Sequence, residues 1–146
     1  MKTRGRTATL LCVAAALTAT TVTASAAGTG RTPDPVVVAD CAGLPQVRPP
    51  DYLLACGDGN NRLVGLVWDT WNTRTATARG TDMVNDCVPY CAAGRFRAYP
   101  VEVTLSHPAP WPERPGTSRF TAIRLVYPGA APAPYSSHDV TIPLVY

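Results

Sequence analysis

The sequence predicts an all-β fold: a single small, disulfide-stabilised antiparallel sandwich or open barrel, with the sandwich preferred. Three observations carry this. Short runs alternate apolar and polar residues, as in Val101-Glu102-Val103-Thr104-Leu105, and are separated by proline, glycine and Asx turn signals. No ten-residue stretch beyond the N-terminal segment shows helical periodicity with usable caps. Four cysteines, Cys41, Cys56, Cys87 and Cys91, remain once that segment is set aside, an even number suited to an oxidising compartment.

Residues 1–26, MKTRGRTATLLCVAAALTATTVTASA, have the three zones of a secretory signal peptide. Lys2, Arg4 and Arg6 make the basic start, Ala8 to Ala16 the apolar middle, and Ala24-Ser25-Ala26 an A-x-A cleavage site. A membrane anchor fails because the apolar run dissolves into Thr18, Thr20, Thr21 and Thr23, short of the roughly 20 residues a span needs. Cys12 leaves with the signal. The expected organisation is therefore a signal peptide at 1–26, a flexible small-residue and proline leader at 27–35 and a β domain at 36–146, secreted to the extracellular space.

Cleavage alters the charge. Of the 13 basic residues three lie in the signal, leaving ten arginines against ten acids and no formal net charge. The scattered arginines leave no basic footprint for nucleic acid, and none for an anionic membrane after signal removal. About 120 residues make one domain, burying roughly two-thirds of its unfolded surface. The four cysteines allow three pairings. Local closure favours Cys41 with Cys56 and Cys87 with Cys91, adding on the order of 3 and 2 kcal/mol in the chain-entropy model.

Each element follows from local pattern. Residues 36–39 are β-branched and form a first short strand. Residues 40–51 read as loop, since Pro45, Pro49 and Pro50 limit ladder bonds. Residues 52–56 make a second short strand, running into a tight turn at Gly57-Asp58-Gly59-Asn60-Asn61. Residues 62–71 are the most apolar segment. Both faces are apolar from Leu63 to Trp68, as in a central strand covered on two sides. Asn72-Thr73-Arg74 turns the chain back into 75–79, where Ala76, Ala78 and Gly80 share a face small enough for an indole of Trp68 or Trp71. Residues 80–94 read as irregular and 95–105 as strand. Residues 106–118 hold four prolines and read as a loop or an extended edge. Residues 119–127 alternate again, with Thr121, Ile123, Leu125 and Tyr127 toward the core and Arg124 toward solvent. A second proline loop at 128–139 precedes an edge strand at 140–145, interrupted by Pro143.

No constellation rises to a catalytic signature. Ser106-His107 and Ser136-Ser137-His138-Asp139 hold the residue types of a hydrolytic triad, but sequence neighbours on an extended chain point apart, and there is no G-x-S-x-G elbow. The C-x3-C spacing of Cys87 and Cys91 fits neither a thioredoxin-like pair nor a zinc knuckle, so no metal or cofactor is expected. At Asp58-Gly59-Asn60 a calcium loop fails because Arg62 stands where an oxygen ligand is needed. Val88, Pro89 and Tyr90, held between Cys87 and Cys91, are the candidate binding residues: a small closed ring spends little ordering entropy on meeting a partner. The plain alternative is a disulfide that pins a crossing between strands. Trp71 and Trp111 form a platform for a sugar or peptide only if they share a surface.

Trp68, Trp71, Gly80, Thr81, Asn85, Asp86, Cys87, Pro89, Cys91, Ala92, Gly94, Pro100 and Val101 give the pattern W-x2-W, Gly-Thr, N-D-C-x-P-x-C-A-x-G and a Pro-Val strand. In this pattern, from Cys56 to about Leu105, the chain resembles a group of small exported proteins of GC-rich filamentous bacteria. The resemblance implies export and no particular chemistry. The expected function is a non-catalytic binding or interaction module, protease-inhibitor-like in its loop, with an extracellular protein or cell-wall polymer as partner. The alternative is a small secreted hydrolase using His107 or His138.

Overall fold

The computed structural model describes residues 35–133, 135 and 137–145. The expected signal peptide, Cys12 and the leader up to residue 34 lie outside the described residues, as does Ser136. The described chain is almost entirely β, and its one helical element is a 3-10 turn at Cys91–Ala93. Eight strands follow in order: β1 Val38–Ala39, β2 Pro45–Gln46, β3 Tyr52–Leu53, β4 Asn61–Trp71, β5 Ala76–Asn85, β6 Phe96–Pro110, β7 Ser118–Val126 and β8 Asp139–Pro143.

Strands β3 to β8 form one six-stranded sheet in sequence order, every neighbour antiparallel. It curls into a half-barrel, so of the two expected architectures the open barrel forms and the sandwich does not. The stagger of β6 explains the curl. Its residues from Phe96 to Leu105 pair with β5, whereas Glu102 to Pro110 pair with β7. The two neighbours of β6 are thus displaced from one another along it, and such shear curls a sheet on itself. Strands β1 and β2 make a separate ribbon, with Pro45 paired to Ala39 inside the expected 40–51 loop. Val37 bridges in parallel to Arg119.

Strand β4 corrects the expectation of a strand covered on both faces. Leu63 and Leu66 are buried and Trp68 and Trp71 half-buried, while Val67 is 69% exposed. Two register shifts produce this, one between Val64 and Val67 and one between Trp68 and Thr70. Gly65, at φ 61°, supplies the first extra residue, the left-handed backbone a glycine takes without strain. Each insertion restarts the alternation, so one face gathers the apolar side chains. The strand also lies second from the edge of the sheet rather than at its middle.

Strand β5 corrects the expected irregular stretch at 80–94, for it runs unbroken through Gly80 to Asn85. A Cβ on Gly80 would meet Leu66 Cδ2 at 2.9 Å and Val64 O at 3.0 Å, so glycine is required opposite the bulge. The small face forms as expected: Ala76 pairs with Trp71 and Ala78 with Trp68, both alanines being buried. The two indoles meet edge to face at 4.6 Å, and Trp71 also meets Phe120 at 5.6 Å. Their N–H groups tie down the chain that precedes the sheet, Trp68 donating to Pro49 O at 2.8 Å and Trp71 to Val36 O at 2.7 Å.

The core lies on the concave side, where Leu63, Val103, Leu105, Ile123 and Leu125 join Val36 and Val38 in one buried cluster. Fully burying such a side chain stabilises the fold by about 2 kcal/mol. On β7 the expected face holds for Ile123 and Leu125 and continues to the buried Tyr127 just past its end, with Arg124 outside and paired to Asp139. Phe120, of the opposite parity, is buried too, where Val37 O accepts its N–H. Residues 106–110 continue β6 against β7 alone, the extended-edge form of the proline segment. Strand β8 is an edge, ending at Pro143.

Candidate functional site

The end of β5 and the start of β6 project a loop from the sheet, and two side chains build its base. Asn85 is only 9% exposed. Its Nδ2 donates to Asn60 Oδ1 and to Cys91 O, each at 2.9 Å, and its Oδ1 accepts from Cys87 N at 3.0 Å. Asp86 accepts from Arg95 N at 2.8 Å, Val88 N at 3.3 Å and Arg97 Nε at 3.0 Å. The Arg95 and Val88 amides, and then Arg97, hold its carboxyl below the usual carboxylate value. Gly94 completes the base, because a Cβ there would lie 2.1 Å from Asn85 Oδ1.

Above this base the Sγ atoms of Cys87 and Cys91 are at bonding distance, as are those of Cys41 and Cys56, the two pairings expected from spacing. Between them Val88 and Tyr90 are 68% and 63% exposed, and Pro89 is exposed as well. A groove of about 400 Å³ runs beside the loop, with Val84, Tyr99, Val88 and Ala133 on its walls and Asn85 and Asp86 at its polar end. A closed ring with an apolar tip and a bonded base can present a fixed shape without first becoming ordered. Phe96 flanks the base, carrying the Arg62 guanidinium 4.7 Å over its ring.

The structure brings Cys87, Val88, Pro89, Tyr90 and Cys91 together and places the other sequence candidates elsewhere. His107, at the far half of β6, meets Ser106 Oγ through Nδ1 at 3.0 Å. His138 Nδ1 faces Tyr127 O at 3.2 Å, while Ser137 Oγ accepts from Asp139 N and the Asp139 carboxylate is taken by Arg124. Among the described residues neither imidazole is hydrogen-bonded to a carboxylate. Trp71 and Trp111 share no platform. Trp111 is 4% exposed, clustered with Val37 and Ala39 and flanked by Arg114 and Arg119.

Asn85, Asp86 and Gly94 stand in the sequence pattern without a role, since bonds to a loop backbone leave no trace in spacing. Asp82 is missed altogether. It faces the core from β5 with no exposed surface, and its only sign is a parity shared with Ala76 and Ala78. Compared with family models, curated proteins and solved structures, the chain matches none of them.

Proposed function

We propose that the protein is an exported, non-catalytic binding module that offers the Cys87–Cys91 loop to a protein partner. The observation that carries this reading is the exposure of Val88 and Tyr90 at the tip of a loop closed by a disulfide and bonded at its base through Asn85 and Asp86. Exposed apolar side chains on a mobile loop would lose ordering entropy on binding. Here most of that cost is met in folding, which leaves more of the contact energy for the partner. A tyrosine anchor is also among the side chains that carry the largest share of interface energy. Two disulfides support export, because such bonds persist in oxidising compartments. The partner is a protein rather than a polysaccharide: the loop presents a point with one phenol ring, whereas a sugar chain needs a flat aromatic surface that Trp71 and Trp111 do not form.

The test is capture from culture supernatant on the immobilised domain, comparing wild type with V88D and Y90A. A partner kept by wild type and lost by both variants is the expected result. Equal retention by all three would overturn the assignment to this loop. Titration against subtilisin-like and chymotrypsin-like proteases examines the inhibitor form of the idea, which fails if micromolar protein leaves both active.

A further inference from the structure

We propose that Asp82 is a proton-binding site built into the core, so that the folded domain takes up a proton there in mildly acidic surroundings and is tightened by it. The geometry sets this carboxyl apart from the others. Asp40 accepts from two backbone amides, Asp86 has amides and Arg97, and Asp139 has Arg124. Asp82 has no exposed surface, and among the described residues its carboxylate has one hydrogen bond, from Tyr127 OH to Oδ2 at 2.7 Å. Its Oδ1 is buried and meets no partner.

Among the described residues the surroundings supply no compensating cation. Across β4 its register partner is Leu63, with Asn61 two residues away, and across β6 it is Tyr99. Just past the end of β7 comes Tyr127, and further along Tyr135 stacks on that ring at 5.9 Å while its hydroxyl accepts from Asn61 Nδ2. The arginines of the paired strands are engaged elsewhere, Arg62 over Phe96 and Arg97 with Asp86. An ionised carboxylate in such a place lacks the hydration it had in water, and neutralisation by a proton removes that penalty.

Burial therefore raises the Asp82 carboxyl from 3.8 to about 6, opposed only in part by the Tyr127 bond. The folded value lies above the unfolded one, so the proton's stabilisation is fully present below pH 3.8 and is lost as the pH rises through about 6. Over that window the folding equilibrium constant changes about a hundredfold. The direction is opposite to acid unfolding by Asp40, Asp58, Asp86 and Asp139, whose stabilisation fades as the pH falls through the ordinary carboxylate range toward their lowered folded values. Tyr99 and Val84, the cross-strand partner and the next core-facing residue, line the groove beside Val88. A proton effect on partner binding would rest on the proposed function, whereas the proton site itself needs no partner to test.

The experiment follows the Asp82 carboxyl carbon by NMR in the disulfide-intact chain, together with urea unfolding from pH 4 to 7.5. The expected midpoint is near 6, moving higher in Y127F, where the bond that favours the ionised form is lost. Between pH 7.5 and 5, above the range in which the other carboxylates act, the folding constant should rise about tenfold in wild type and stay flat in D82N. The slope should persist in H107Q/H138Q, which removes both histidines of the chain. A midpoint at or below 4, a slope that survives in D82N, or one that disappears with the histidines overturns the proposal. Should D82N not fold, the carboxyl midpoints of wild type and Y127F still decide.

Discussion

Gly94→Ala isolates the contribution of the loop base. The φ of Gly94 is −71°, an angle any residue adopts, so only space excludes a side chain here. An added Cβ would lie 2.1 Å from Asn85 Oδ1 and 2.8 Å from Cys87 N. The second of these is backbone and cannot swing away, so the Asn85 amide must. With it go the bond from Cys87 N and the two that Nδ2 donates to Asn60 and Cys91. At about 1 kcal/mol net for each, the variant loses about 3 kcal/mol. In urea, with a slope of about 1–3 kcal/mol per molar, the midpoint falls by about 1–3 M under non-reducing conditions. Gly129→Ala is the matched control. A Cβ there meets nothing within 4 Å, and its effect should stay within about 0.5 kcal/mol. A G94A midpoint no lower than that of G129A would refute the claim that Asn85 holds the loop.

Two further substitutions test the frame beneath the loop. Gly80→Ala drives a methyl against Leu66 Cδ2 and the Val64 carbonyl, and should lower stability by about 1–3 kcal/mol, read as a drop in thermal midpoint. Trp71→Phe keeps a ring near Phe120 but deletes the N–H bond to Val36 O. Its cost should be about 1–2 kcal/mol, with faster hydrogen exchange at the Val37 and Phe120 amides, which tie that segment to β7. Unchanged exchange at these amides would show that the indole N–H does not hold the segment.

The cysteine pairing is legible in the sequence because both closures are local, and the exposed ring between Cys87 and Cys91 follows from it. The faces of β6 and β7 are legible over residues 101–105 and 123–127, where the period of two is unbroken. Other features depend on contacts between distant segments. That Trp68 and Trp71 donate to Pro49 and Val36 cannot be read from spacing, since the acceptors are backbone carbonyls that every residue carries. For the same reason Asn85 and Asp86 look like ordinary turn residues until the fold brings Asn60, Cys91 and Arg95 to them.

One inserted residue accounts for the reading of Leu63 and Leu66 on opposite faces, of Gly80 as a break and of Asp82 as a loop residue. Gly65 and Leu66 together stand opposite Gly80, between the pairs Val64 with Thr81 and Val67 with Arg79. Without that bulge, strict alternation sends Leu63 and Leu66 to opposite faces, and β4 reads as a strand covered on both. Gly80 then reads as a break, although it is glycine because the bulged strand leaves no room for a Cβ. Cutting β5 at Gly80 also moves Asp82 into a loop, where a carboxylate needs no explanation. With the strand continued, its parity joins that of Ala76 and Ala78, and it becomes a buried acid facing Tyr127. A glycine inside an apolar run, followed some fifteen residues later by another inside a small-residue strand, is thus the sequence trace of a bulge and its opposite position. From that pair of glycines the shared face of Leu63 and Leu66, the unbroken β5 and the core placement of Asp82 all follow, and the second shift, between Trp68 and Thr70, brings Trp71 to that face as well.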